Sequence, residues 1–235
     1  MNNSIRKGCK DVWNAYMVKD AVFDERDIPF CPTTATSLPT DMISWDLAKS
    51  IYKKMIQKKR YDFKYPAYVC FYIDDYKFDG KSGIWYNAKN VLKVLEHFEG
   101  IITPDFSTYQ DFPEPIKLYN TYRMRAFGYW AGNNKIPVIN NVRWGTFETY
   151  SYCFNGIETN SIVAIGTCGG SPRKLRDRSR FENGLNELVK KLNPKVILVY
   201  GSSHYPCFNQ LTKQNIKIVF YRSQTSRAFG GGHHE

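Results

Sequence analysis

The chain has 235 residues, of which 43% are hydrophobic and 16% aromatic, a composition that is typical of a folded domain and excludes an intrinsically disordered chain. Its longest apolar runs, 162–165 and 196–200, are far shorter than the roughly 20 residues of a membrane-spanning helix, and the N-terminus has no apolar signal segment. We therefore expect a cytoplasmic protein that has no membrane partner.

The second bulk property is a formal net charge of +11 at pH 7. A basic surface attracts polyanions because phosphate contacts release condensed counterions. The charge favours nucleic acid or a nucleotide as partner, although a basic surface can also serve solubility alone. The six cysteines form no CxxC pair, so the sequence lacks the ligand spacing of a zinc finger.

Secondary structure elements are predicted from the periodicity of apolar residues, taken in chain order. The segment 27–32 has the composition of a strand, and 45–60 is an amphipathic helix with a lysine-rich outer face. From residue 68 onward, strand-like runs alternate with longer amphipathic segments. The predicted strands are 68–73, 100–103, 136–139, 162–166, 196–200 and 216–221. The predicted helices between them are 87–98, 114–133, 147–156, 174–193 and 205–214.

The alternation of strands and helices indicates βαβ units, and therefore an α/β fold with a mainly parallel sheet. Six to seven such units fit either an open doubly wound sheet or an incomplete (β/α) barrel, and periodicity does not choose between them. The predicted organisation has three parts. An N-terminal helical extension (1–65) packs on an α/β core domain (66–222), and a flexible C-terminal tail (223–235) follows.

In either architecture ligands bind at the carboxyl ends of the strands, so the residues that follow each predicted strand are the candidates for a site. Asp, Asn and Gly are also common turn formers, and many polar loops are only structural. Arg143 and Trp144 are not residues that a turn requires, and Pro104 stiffens the approach to Asp105. These strand ends are therefore the strongest indication of a functional site.

Four of the rim residues are predicted to be catalytic: Asp105, Asn141, Arg143 and Arg123, the last from the helix 114–133. Asp74, Asp75 and Asp105 form an oxygen-ligand set of the kind that Mg²⁺ or Mn²⁺ prefers. Such a metal would activate water, and the arginines would stabilise charge in the transition state. Alternatively, Asp105 acts as a lone general base or nucleophile without a metal.

A glycine-rich, basic segment follows the predicted strand 162–166. Glycines allow backbone amides to approach a phosphate, and arginines and lysines supply charge. The segment matches neither a Walker A sequence nor GxGxxG, and a solvated basic loop is the alternative. The predicted phosphate-binding residues are Gly169, Gly170, Arg173, Lys174 and Arg176. Trp144 and Phe106 are predicted to stack on bases.

Several motifs together resemble a family that occurs in Gram-positive bacteria, their phages and their mobile elements and is described as a domain of unknown function. The motifs are PDFSTY, NTYRMRAFGYW, NVRWG, VAIGT and ILVYG, and the resemblance covers roughly residues 68–222. It implies a phage or mobile-element context. It implies no activity, ligand or catalytic residue.

Three functional hypotheses follow from these features. The first is an enzyme that acts on a phosphate-bearing substrate, nucleic acid or nucleotide, by metal-assisted phosphodiester hydrolysis or transfer. The second is a non-catalytic nucleic-acid-binding protein with a role in replication or regulation of a mobile element. The third is an enzyme or binder of a small ligand such as a nucleotide or sugar, which the fold alone does not exclude.

Overall fold

The computed structural model describes residues 7–167 and 175–229, and in them a seven-stranded parallel sheet forms the core. The strands are β1 (Met42–Ser44), β2 (Tyr65–Cys70), β3 (Phe98–Ile102), β4 (Val138–Asn141), β5 (Ile162–Gly166), β6 (Val196–Tyr200) and β7 (Lys217–Tyr221). The α-helices are α1 (Trp45–Gln57), α2 (Ala88–Leu95), α3 (Glu114–Asn133), α4 (Leu175–Leu192), α5 (Cys207–Lys213) and α6 (Gln224–Phe229). Short 3₁₀ helices occur at Ala15–Val18, Asp75–Lys77 and Phe147–Ser151.

The order of the strands decides between the two predicted architectures. Each strand pairs in parallel with its sequence neighbour, from β1 to β7, and the sheet curls into a half-barrel with helices between the strands. A doubly wound sheet reverses its strand order at a switch point, and this sheet has no reversal. The α/β fold and the incomplete (β/α) barrel are thus confirmed, and the carboxyl ends of all seven strands lie on one rim.

The sheet has a different apolar layer on each face. The helices cover the outer face in two clusters, one centred on α1 to α3 and the other on α4 and α5. The inner face forms a third cluster to which every strand contributes, including Met42, Tyr68, Ile139, Leu198 and Tyr221. Because both faces are covered, the strands are apolar nearly throughout, as is usual for parallel sheets.

The gap between the edge strands β1 and β7 is bridged by side chains and by α6. The hydroxyl of Tyr221 donates to the carbonyl of Pro39 at 2.8 Å. Arg227 of α6 donates to both carboxylate oxygens of Asp41, at 2.7 and 2.5 Å. The hydroxyl of Ser44 hydrogen-bonds to Gln224. These contacts fasten the C-terminal helix across the opening of the half-barrel.

All six strands predicted between residues 68 and 221 are present, with boundaries that shift by three residues or fewer. The segment 27–32 differs, because its only strand-like contacts are isolated bridges such as Cys31 to Ile157. The seventh strand is β1, which lies within the part predicted to be a helical extension. The three residues of β1 lead directly into α1, and so short a strand shows no recognisable periodicity of apolar residues. Helix α6 likewise lies in the part predicted to be a flexible tail.

One buried arginine joins three parts of the structure. Arg125 of α3 is fully buried and donates to the carbonyls of Asn141, Cys153 and Asn155, each at 3.0 Å. Burial lowers the pKa of its guanidinium to about 10, so the group remains charged at neutral pH. It ties the end of β4 to α3 and to the segment 153–155.

We predict that Arg125→Leu lowers the free energy of unfolding by roughly 3–5 kcal/mol, because three buried carbonyls lose their donors. Arg60→Leu removes an exposed arginine and serves as the control. Urea unfolding of both variants measures the difference. A loss below about 1 kcal/mol in Arg125→Leu would show that the carbonyls find other partners.

Candidate active site at the carboxyl rim

Asp105 is the centre of a polar cluster where β3 and β4 end. The two strands pair through Ile101 with Val138 and Ile102 with Ile139, so their carboxyl ends are adjacent. Asp105 is 7% exposed and accepts a hydrogen bond from the Asn141 side-chain amide at 2.9 Å. Its other oxygen lies 3.3 Å from the Arg143 guanidinium. The strand pairing therefore brings together three of the four predicted catalytic residues.

The environment of Asp105 changes its acidity. Burial raises the pKa of the Asp105 carboxyl, the nearby charge of Asp75 adds to that rise, and Arg143 and Asn141 oppose it. The net direction is upward from the ordinary value of 3.8. A buried carboxyl with a raised pKa at a strand end is suited to proton transfer, and such groups concentrate at functional sites.

Tyr72, which sequence reasoning missed, extends the cluster. Its hydroxyl donates to the side-chain oxygen of Asn141 at 3.0 Å, and its ring stacks on Tyr200 with centroids 5.4 Å apart. A Cβ added at Gly166 would lie 2.5 Å from the Tyr72 ring, so β5 must end in glycine. The signal in the sequence was weak, since an aromatic residue near the end of a buried strand is most often part of the core.

A pocket of about 210 Å³, here called the arginine pocket, opens beside the cluster. It lies between the ends of β3, β4 and β5 and the first turns of α4. Arg143, Trp144 and Arg180 line it together with Tyr109 and Asp177. Trp144 packs against Phe181 with centroids 5.4 Å apart, and α4 accommodates it because Gly184 has no side chain. Arg180 belongs to the predicted basic run, although it was not among the chosen phosphate-binding residues.

Two predicted site residues lie elsewhere. Arg123 donates to Asp79 at 2.7 Å and lies 3.8 Å above the ring of Phe106, and it also hydrogen-bonds to Asn120. Phe106 is fully buried in the core. The charge of Arg123 is thus already compensated, and Phe106 stacks on that arginine. Phe106 therefore has no exposed ring face on which a base could stack, whereas the prediction that Arg123 is catalytic stays a prediction.

The predicted metal ligands do not converge. Asp75 accepts hydrogen bonds from the backbone and hydroxyl of Ser107, at 3.1 and 2.8 Å. Asp74 has a side chain that is 67% exposed, and it pairs with Lys77 at 3.4 Å. Within residues 7–167 and 175–229, no group of three or more His, Cys, Asp or Glu side chains could hold a metal ion. The charge of Asp75 contributes to the raised pKa of the Asp105 carboxyl.

The predicted phosphate-binding segment is mostly outside the described residues. Four of the predicted residues lie outside the described ranges: Gly169, Gly170, Arg173 and Lys174. Arg176 belongs to α4, but the structure describes only its backbone. The described residues on either side, Gly166 and Asp177, both line the arginine pocket. In the described part of the chain, no helix is long and apolar enough to span a membrane.

The sequence is similar to that of two phage proteins. It is 32% identical to the Gene 1 protein of Mycobacterium phage L5 over 163 residues, which are 69% of this chain and 68% of that protein. It is 28% identical to the Gene 1 protein of Mycobacterium phage D29 over 170 residues, which are 72% of this chain and 58% of that protein. No solved structure matches the chain.

The resemblance seen in the motifs is confirmed by a match over residues 25–221, a range that contains all seven strands, the Asp105 cluster and the arginine pocket. The chain therefore belongs to the family described as Domain of unknown function (DUF4417), which has relatives in mycobacterial phages.

Proposed function

We propose that this protein is an enzyme that acts on a phosphate-bearing substrate, a nucleotide or nucleic acid, at the carboxyl rim of the half-barrel. The observation that carries the proposal is Asp105, a buried carboxyl with a raised pKa, held between Asn141 and Arg143 beside the arginine pocket. Ligands of parallel α/β folds bind at this end of the strands.

The lining of the arginine pocket supports a phosphate group as the bound part. Arg143 and Arg180 come from different elements and line the same space. Guanidinium groups bind phosphate oxygens with two parallel hydrogen bonds. At about 210 Å³ the pocket is smaller than the 300–1,000 Å³ of sites for drug-sized ligands, so it suits one phosphate group better than a whole nucleotide.

In the proposed mechanism Asp105 transfers the proton. Asn141 fixes one oxygen of Asp105, so the other oxygen and the Arg143 guanidinium face each other at 3.3 Å. A phosphate that binds Arg143 competes with Asp105 for that guanidinium, which leaves the carboxyl available to the attacking or leaving oxygen. Arg143 then stabilises the charge that develops on the phosphoryl group.

The metal-assisted form of the hypothesis is a variant of this proposal. Asp75 and Asp105 are the two carboxylates that would hold the ion, since the charge of Asp75 acts on the Asp105 carboxyl. Mg²⁺ sites often use one or two carboxylates and take their remaining oxygen ligands from substrate phosphates and water. Two protein ligands are therefore compatible with Mg²⁺ or Mn²⁺ in the presence of substrate.

A second candidate function is non-catalytic binding of single-stranded nucleic acid. Tyr109 is half exposed and lines the arginine pocket, and Phe147, which is 75% exposed, directly follows the lining residue Thr146. Exposed aromatic rings beside arginines stack on successive bases with little sequence preference. In this second candidate, the same rim binds nucleic acid and catalyses no reaction.

We predict that Asp105→Asn abolishes turnover and leaves substrate binding within about threefold, because it removes proton transfer and keeps the size of the side chain. Arg143→Gln should weaken binding and turnover together. The assay follows labelled single- and double-stranded DNA and RNA, and nucleoside triphosphates, with Mg²⁺, with Mn²⁺ and with EDTA.

Two matched controls accompany these variants. Asp62→Asn removes an exposed carboxylate just before β2, and Arg222→Gln removes an exposed arginine at the end of β7. Both should retain wild-type turnover. Intact substrate in every wild-type reaction would overturn the enzymatic proposal, and retained polymer binding would then favour the second candidate.

We also predict a pH-dependent difference in stability between the wild type and Asp105→Asn. The folded-state pKa of Asp105 is raised, so the unfolded chain ionises this group first as the pH rises. The wild type should therefore lose stability relative to the variant as the pH rises from 3.8 through the raised pKa. Denaturant unfolding of both proteins across acidic pH measures this difference. A difference that grew in favour of the wild type would mean that the pKa is lowered instead.

A further inference from the structure

A second and larger space opens on the same rim, away from the Asp105 cluster. This cavity, here called the rim cavity, has a volume of about 500 Å³, which falls in the usual range for ligand sites. It lies between the ends of β2 and β6, the first turn of α1 and the side of α6. No catalytic role in the proposed function uses it.

The walls of the rim cavity are partly aromatic. Tyr72 and Tyr200 both line it, and their rings are stacked with an interplanar angle of 20°. Both tyrosines are nearly buried, at 6% and 2% exposed, and stack on each other, so a flat aromatic occupant would contact their edges rather than their faces. Gln224 of α6 adds a side-chain amide to the lining.

The charges of the rim cavity disfavour phosphate. Asp74 is paired with Lys77 at 3.4 Å. Asp46, in the first turn of α1, also lines the cavity, and one of its carboxylate oxygens is buried with no hydrogen-bond partner. A buried acceptor without a donor destabilises the folded protein. An aspartate carboxylate can rotate about its terminal bond at little energetic cost, so this oxygen can turn toward an occupant. Asp46 therefore favours an occupant that presents an N–H group.

The rim cavity and the arginine pocket are separated by the thickness of one side chain. Tyr72 lines the cavity, and its ring contacts the Cα side of Gly166, which lines the arginine pocket. Its hydroxyl reaches Asn141 at 3.0 Å. The two spaces are thus neighbours on the rim, with the Tyr72 ring and Gly166 between them.

We propose that the rim cavity is a nucleobase subsite that recognises its base through an N–H donor such as an amino group. The assignment of this base to the substrate rests on the proposed function, in which the arginine pocket takes the phosphate. Asp46 accepts a hydrogen bond from the amino group, and the pair Tyr72 and Tyr200 contacts the ring. Helix α6 forms the outer wall.

The test is equilibrium dialysis of the purified full chain against labelled nucleosides, which carry no phosphate. Adenosine, whose base has an amino group, should bind at least about tenfold more tightly than purine riboside, whose base has no N–H donor. Asp46→Asn should remove that preference. Ala228→Phe should fill the cavity and weaken all nucleosides by at least about tenfold, because Ala228 lines it from α6.

Ser226→Phe is the matched control for the space-filling variant. Ser226 lies on the same helix, is exposed, and is not part of the cavity lining, so nucleoside binding should be unchanged. Circular dichroism and unfolding midpoints establish that each variant is folded. Absence of nucleoside binding to the folded wild type at millimolar concentration would overturn the proposal, as would binding that Ala228→Phe leaves unaltered.

The two proposals fail separately. Nucleoside binding requires no turnover and should survive Arg143→Gln, whereas turnover of phosphate substrates tests the Asp105 cluster. A wild type that binds adenosine in a manner sensitive to Ala228→Phe, but processes no phosphate substrate, would retain the nucleobase subsite and reject the enzyme. Turnover without any nucleoside binding would reject the subsite alone.

Discussion

Asn141 is the residue on which the arrangement of the rim depends. It is fully buried at the end of β4, and four of its polar groups have partners within the protein. Its backbone amide donates to Thr103 and its carbonyl accepts from Arg125, while its side chain accepts from Tyr72 and donates to Asp105. A buried polar group stabilises a structure only when it is fully paired, so each partner holds the others in position.

This network links stability to function in one place. Arg125 supports the end of β4 from the helical layer, and Asn141 in turn fixes the position of Asp105, whose pKa is raised by burial. On either side of Tyr72 the electrostatic character then changes, from two arginines in the arginine pocket to an unpaired acidic oxygen in the rim cavity. The two spaces on the rim therefore have opposite ligand preferences, one for an anion and the other for a hydrogen-bond donor.

The sequence could predict the repeating part of the fold, because strands buried on both faces leave unbroken apolar runs. It did not reveal β1, which is three residues long and leads directly into α1. The choice of Asp105, Asn141 and Arg143 came from their position after predicted strands, and the pairing of β3 with β4 brings them together. Arg123 was chosen because one helical turn brings it beside Tyr119 and Asn120, and its partner Asp79 is 44 residues away in the chain.

The amino-acid sequence by itself determined the α/β class, the family and the residues that follow each strand, because these depend on local periodicity and motifs. Only the tertiary structure decided the half-barrel, since the order of strands in a sheet leaves no local trace. It also decided which carboxylate each arginine pairs with, placing Arg123 against Asp79 and Arg143 against Asp105 beside a pocket. Both outcomes depend on contacts between residues distant in the chain, which a local pattern does not encode.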